Sequence, residues 1–255
     1  MTITSKDNEK LKLVRKLAAA KHRESEGLFV TEGEDLLQAG LAAGHEPTLV
    51  LCRTETGIEG EEVEAPLLDA VSTLGSGTNV IAIWPLPSAP DEAKRPTASP
   101  MGYVAGRLEG EGAVCVYLHG VGDPGNVGSI VRSAGALADA WIALGPDCAD
   151  PYGPKAVRAS MGSIFSVSVS HRDLAETPAP RVSLVAHGGE PALPMEAKTI
   201  CLGAERDGLP SEVIDATDAA WTIPMRPDAV ESLGVAAAAA IALSRIGSPL
   251  REERS

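Results

Sequence analysis

The residues best suited to chemistry are gathered in one stretch, His119–Arg132, HGVGDPGNVGSIVR. The Asn126 amide can both donate and accept a hydrogen bond, and the Arg132 guanidinium is a permanent cation shaped for phosphate or carboxylate. They stand six residues apart, under two helical turns, so both are expected at one pocket mouth. Gly120, Gly122, Pro124 and Gly125 force a turn between an apolar run and a helical pattern. Such a loop aims backbone N–H groups at a bound ligand. Gly120–Gly125 also fits the G-x-G-x-x-G fingerprint of a nicotinamide-dependent oxidoreductase, with Asp147 as acidic partner roughly 20 residues on. Against that reading, Pro124 lacks an N–H that a pyrophosphate would use, and the C-terminal third of the chain is left unexplained.

The elements that must position these groups follow from hydrophobic period. Residues 113–118 read as a buried strand and 127–137 as the helix after the glycine loop. Further strands are expected at 141–144, 164–169, 182–186, 199–202 and 220–223, with helices at 154–161, 211–215 and 232–246. Strand and helix alternate, which predicts an α/β domain over 112–255 with a mainly parallel sheet covered on both faces. Upstream, a helix over 6–21, strands at 28–30, 48–52 and 79–84, and helices at 34–43 and 66–74 make a small α/β domain over 1–88. Between them, 89–111 is rich in Pro, Ala and Ser without hydrophobic period and reads as a linker.

The bulk composition limits the classes. Over 255 residues the hydrophobic fraction is 44% and the aromatic fraction 3%, so the core is aliphatic. No run reaches the roughly 18 apolar residues of a membrane span. The opening MTITSKDNEK is polar, so no secretory leader is expected. Cys52, Cys115, Cys148 and Cys201 form no C-x-x-C pair, and the five histidines show no metal spacing. Free thiols in a reducing cytoplasm, and no metal, are expected. The net charge of −13 is unevenly spread. Residues 1–25 carry seven Lys/Arg, Arg15 and Arg23 among them, against three acids, whereas 26–65 carry ten acids against Arg53 alone. A local basic segment can steer a polyanion despite the total; a solvated amphipathic helix explains it equally well.

The string Asp123-Pro124-Gly125-Asn126-Val127-Gly128, followed by Arg132, resembles the first motif of the SpoU (TrmH-like) RNA ribose methyltransferases. Lys155–Gly162, with Arg158 and Ser160, resembles the family's intermediate R-x-S-x-G signature. Leu202-Gly203-Ala204-Glu205-Arg206-Asp207-Gly208-Leu209 resembles the second motif, and Ile223-Pro224-Met225 with Glu231-Ser232-Leu233-Gly234-Val235-Ala236 the third. Arg23 with Gly27–Gly33 resembles the family's substrate-binding domain. The resemblance spans nearly the whole chain. One position departs from it: Gly234 stands where the family usually has Asn.

The resemblance implies a SPOUT catalytic domain with a trefoil knot, an exception to the rule against knotted chains, preceded by a substrate-binding domain. It implies a homodimer with the active site at the subunit interface, and S-adenosylmethionine as cofactor. The acceptor would be a ribose 2′-hydroxyl, in ribosomal RNA rather than transfer RNA. Asn126, Arg132, Glu205 and Ser232 would form the catalytic set, and Gly203, Ile223 and Leu233 would hold the cofactor. Arg15, Arg23, Arg158 and Ser160 would face RNA. Physically, a guanidinium gives up a proton reluctantly, so Arg132 is expected to hold the adjacent phosphate rather than act as base. Gly234 keeps open a third reading, a catalytically impaired RNA-binding member of the same fold.

Overall fold

A computed structural model describes residues 2–74, 77–87, 113–226 and 232–247. The linker expected over 89–111 lies outside the described residues. The chain forms two compact units. One holds the described part of Met1–Ala105 together with Tyr152–Phe165; the other holds that of Gly106–Pro151 and Ser166–Ser255. In chain order the elements are α1 (Glu9–Lys16), α2 (Ala20–Glu26), β1 (Leu28–Glu32), α3 (Glu34–Ala42), β2 (Leu49–Arg53), β3 (Glu61–Val63), α4 (Ala65–Asp69) and β4 (Val80–Pro85). Then come β5 (Val114–Leu118), α5 (Pro124–Leu137), β6 (Ala140–Leu144), α6 (Pro154–Ser160), β7 (Val169–His171), β8 (Arg181–Leu184), β9 (Thr199–Leu202), α7 (Ser211–Asp215), β10 (Ala219–Trp221) and α8 (Val235–Ile246).

The first unit is built on a four-stranded sheet in the order β1-β4-β2-β3. The central strand β4 is buried on both sides, so its alternate residues serve two cores. Ile81 and Ile83 pack with Leu11, Val14, Leu17 and Leu51. Trp84 meets Phe165, ring centroids 4.7 Å apart, and its indole N–H donates to Thr31 Oγ1 at 2.8 Å. Residues 152–165, which follow β6 in sequence, thus belong to this unit, with α6 packed against β1.

Periodicity predicts one helix over 6–21; the chain makes two. Asn8 caps α1 by accepting from the Lys10 N–H at 2.9 Å, and Glu9 and Arg15/Lys16 sit at the ends the helix dipole favours. The helix then stops at Leu17, because the buried Arg23 guanidinium donates to the carbonyls of Leu17 at 2.7 Å and Ala18 at 2.8 Å. Those are carbonyls that a helix end leaves without partners. The edge strand β3 was not expected: of its three residues only Val63 is apolar.

The second unit carries a six-stranded sheet, β10-β8-β9-β5-β6-β7, parallel at every pairing. Its strands read as near-continuous apolar runs because both faces are covered; all five residues of β5 are buried. The helix after the glycine loop starts earlier than its hydrophobic period indicates. Asp123 is its N-cap, its side chain accepting from the Asn126 N–H at 3.1 Å, and Pro124 opens the helix, where its fixed φ suits and its missing N–H costs nothing. The strand expected over 164–169 is instead a 3-10 turn, Ser163–Phe165, followed by β7. The alanine-rich α8 packs along α5. Among the described residues no helix is long and apolar enough to cross a membrane.

Candidate active site

The carboxyl ends of β8 and β9, with the chain leaving β10, surround a cavity of about 310 Å3 in the second unit. Ligands favour this edge of a parallel sheet. The walls are apolar, including Leu184, Leu209, Ile223 and Leu233. The floor is backbone: at Gly203 any Cβ would overlap the main chain of Gly208. After Gly203 the chain makes a tight turn, closed by Ala204 N–H to Gly208 O at 3.1 Å and Gly208 N–H to Ala204 O at 3.0 Å. Glu205, Arg206 and Asp207 sit exposed on that turn and line the cavity. Apolar walls over a backbone floor suit a purine nucleoside, so Gly203, Leu209, Ile223 and Leu233 fit an adenosyl cofactor.

The expected cofactor residues Gly203, Ile223 and Leu233 all line this cavity, as do Glu205 and Ser232 of the expected catalytic set. Asn126, in the first turn of α5, lies outside the lining but meets the rim: its Nδ2 donates to Glu205 Oε1 at 2.5 Å across 79 residues of sequence. Arg132 is not brought there. It is exposed and outside the lining of the cavity. Six residues along a helix return to a direction about 120° away, and neither Asn126 nor Arg132 lines this cavity.

The residues expected to face RNA divide in the same way. Arg15 is exposed on α1, beside Lys12, Lys16 and His22, which rim a shallow depression floored by Ala18 and Ala19. Arg23 is 4% exposed and bonded to the α1 carbonyls, so it holds the α1–α2 corner from inside. Arg158 is exposed on α6. Ser160 is fully buried and its hydroxyl donates to Val157 O at 2.7 Å, which leaves it no access to a ligand.

The dinucleotide reading fails on geometry. Gly125 lies inside α5, and Pro124 is the first residue of that helix. At Gly122 a Cβ would meet nothing within 4 Å, so no close approach requires that glycine. The cavity is lined by the β8, β9 and β10 ends and not by Gly120–Gly125. Two ionisable groups flank this loop. Burial pushes the Cys148 thiol up, opposed by hydrogen bonds from the Val121 and Gly120 backbone. Burial raises the Tyr117 hydroxyl as well. Both are therefore protonated near neutrality and unsuited to act as bases there. Among the described residues no group of His, Cys, Asp and Glu side chains could hold a metal.

Two parts of the site were not singled out from the sequence. Asp123 as a helix cap had a signal in the Asp-Pro pair. The Ala204–Gly208 turn falls within the second motif, but its paired closing hydrogen bonds had no signal beyond Gly208.

The model of the SpoU rRNA Methylase family matches residues 113–244, more than half of the chain. A second model, the MRM3-like substrate binding domain, matches residues 8–83. A 23S rRNA (guanosine(2553)-2'-O)-methyltransferase, RlmP, of Bacillus subtilis is 27% identical over 94% of this chain and 96% of its own. Among solved structures, a putative RNA methyltransferase of the TrmH family from Porphyromonas gingivalis superposes with a TM-score of 0.73 at 27% identity, over 96% of this chain and 98% of its own. An AdoMet-bound rRNA methyltransferase from Sinorhizobium meliloti shares the fold, with a TM-score of 0.78 at 24% identity over 98% of both chains.

Proposed function

The chain belongs to the SpoU rRNA methylase family, and on that premise we propose that it transfers a methyl group from S-adenosylmethionine to a ribose 2′-hydroxyl of ribosomal RNA. The observation that carries the reading is the Asn126–Glu205 hydrogen bond, which ties the first turn of α5 to the rim of the cavity. A bound S-adenosylmethionine would supply an electrophilic methyl on its sulfonium, the carbon–sulfur bond breaking as the carbon–oxygen bond forms, with the hydroxyl proton released to solvent.

The chain's own residues have two tasks, to hold the acceptor in line and to stabilise negative charge on its oxygen. With Nδ2 engaged by Glu205, the Asn126 amide presents Oδ1 as an acceptor for the ribose hydroxyl proton. Ser232, exposed at the mouth, offers a second polar contact. Gly203 and the apolar walls at Ile223 and Leu233 exclude water behind the adenosyl group. Arg132 holds the phosphate next to the acceptor and stabilises the developing alkoxide without giving up its own proton.

The protein acts as a homodimer in this proposal. Support comes from Arg132, which is exposed on α5 away from its own cavity; a two-fold partner would supply it in trans. A trefoil knot is the proposed threading of the catalytic domain, in keeping with the return of α8 onto α5. The domain limits proposed are 1–88 for RNA binding and 112–255 for catalysis. The basic depression at Lys12, Arg15 and Lys16 is the proposed RNA grip, and Arg158, exposed on α6, is proposed as a separate contact. Ribosomal RNA is favoured over transfer RNA by the match to an MRM3-like substrate-binding domain. The free thiols of all four cysteines suit the cytoplasm. The set Asn126, Glu205 and Ser232 around the cavity favours an active enzyme over an impaired one.

The test is transfer of tritiated methyl from labelled cofactor to bulk RNA, followed by mapping of 2′-O-methyl sites with and without the protein. A single new site in ribosomal RNA is expected. Label in transfer RNA alone overturns the substrate, and no label in any RNA overturns the activity.

A further inference from the structure

We propose that Arg206 is a second phosphate clamp, a positioning residue that pairs with the RNA backbone beside the acceptor nucleotide at the cavity mouth. The proposal rests on the methyl-transfer reading above and names a contact within it. Arg206 is the one basic side chain among the described residues that line the cavity. It is exposed and makes no ion pair or hydrogen bond with any described residue. Its backbone is nonetheless fixed. The turn carrying it is closed by the paired Ala204–Gly208 hydrogen bonds, packed at Gly203 against Gly208, and tethered through Glu205 to Asn126.

Charge decides what such a cation is for. Glu205 and Asp207 flank Arg206 on the same rim, and the chain carries −13 overall. Two carboxylates at a cavity mouth suit the cationic sulfonium but repel a polyanion. An unpaired guanidinium between them offsets that repulsion at the point where RNA must come closest. Its planar fork matches two phosphate oxygens.

The full-length Arg206→Gln and Arg206→Lys variants test this with ribosomal RNA as the probe. For Arg206→Gln the KM for RNA should rise roughly tenfold while kcat stays within about twofold. The slope of log affinity against log salt should become shallower by about 0.7–0.9, the value of one phosphate contact. Arg206→Lys should restore that slope, because it restores the charge. Adenosylhomocysteine affinity by calorimetry should stay the same in both variants. An unchanged salt slope overturns the proposal. So does a loss of adenosylhomocysteine affinity with RNA affinity intact, which would assign Arg206 to the cofactor carboxylate. A wild-type chain that transfers no methyl, yet shows the shallower slope in Arg206→Gln, would overturn the methyl-transfer reading and leave the clamp standing.

Discussion

Asn126 Nδ2 donates to Glu205 Oε1 at 2.5 Å, joining residues from the first and second sequence motifs. The bond fixes which face of the Asn126 amide is free, and so converts a residue able to donate or accept into an acceptor. Glu205→Gln lets the amide rotate, and Asn126→Ala removes it. Each should lower methyl transfer on the order of 100-fold, the scale of losing one preorganised polar contact. Adenosylhomocysteine affinity, measured by calorimetry, should fall far less.

Arg132→Ala should abolish transfer and leave cofactor binding intact. If Arg132 acts in trans, mixing Arg132→Ala with Glu205→Gln should restore activity. In a mixed two-fold dimer one of the two sites is then complete, giving roughly a quarter of wild-type activity after random exchange. Absence of rescue in a dimer shown to exchange subunits would place Arg132 in its own chain's site.

Arg15 and Arg23 should separate cleanly. Arg15→Gln loses one exposed hydrogen bond to the Lys6 carbonyl, costing about 0.5 kcal/mol, and should make the salt dependence of RNA binding shallower, by about 0.7–0.9 in log–log slope. Arg23→Ala removes a buried donor from the Leu17 and Ala18 carbonyls and should destabilise the chain on the order of 2 kcal/mol. Denaturant midpoints together with filter binding across a salt series distinguish the two.

Gly234 caps α8 with φ −59° and ψ 143°, and a Cβ there would meet nothing within 4 Å. Neither strain nor close approach requires glycine. Gly234→Asn should raise stability by a few tenths of a kcal/mol, since Asn is the better N-cap. It should also raise methyl transfer with cofactor affinity unchanged. Reduced transfer and cofactor affinity at an unchanged melting temperature would show that the open space is used by a ligand.

Much of this was legible in the sequence because apolar periodicity reports burial directly. The all-apolar β5 announced a strand covered on both faces, and the alternation of strand and helix after residue 112 announced the parallel sheet. The failures have physical causes. The α1–α2 break is made by the Arg23 side chain reaching back to carbonyls five and six residues earlier, which no hydrophobic pattern records. The start of α5 at Pro124 is set by a cap, not by period. At the site, the family resemblance implied Gly203, Ile223 and Leu233, and all three line the cavity. The six-residue spacing sets Asn126 and Arg132 about 120° apart once both lie in α5; the helix expected from 127 left Asn126 outside it.

The packing at Gly203 bears on how this chain can vary over evolutionary time. Any side chain at that position collides with the Gly208 backbone, so every single-step replacement must be removed by selection before function is even sampled. The neighbouring rim residues face solvent and carry no such restriction. Gly203 is thus restricted by packing and Glu205 by its bond to Asn126, whereas Asp207 meets neither limit. The turn can therefore be retuned toward a new RNA partner without disturbing the pocket beneath it.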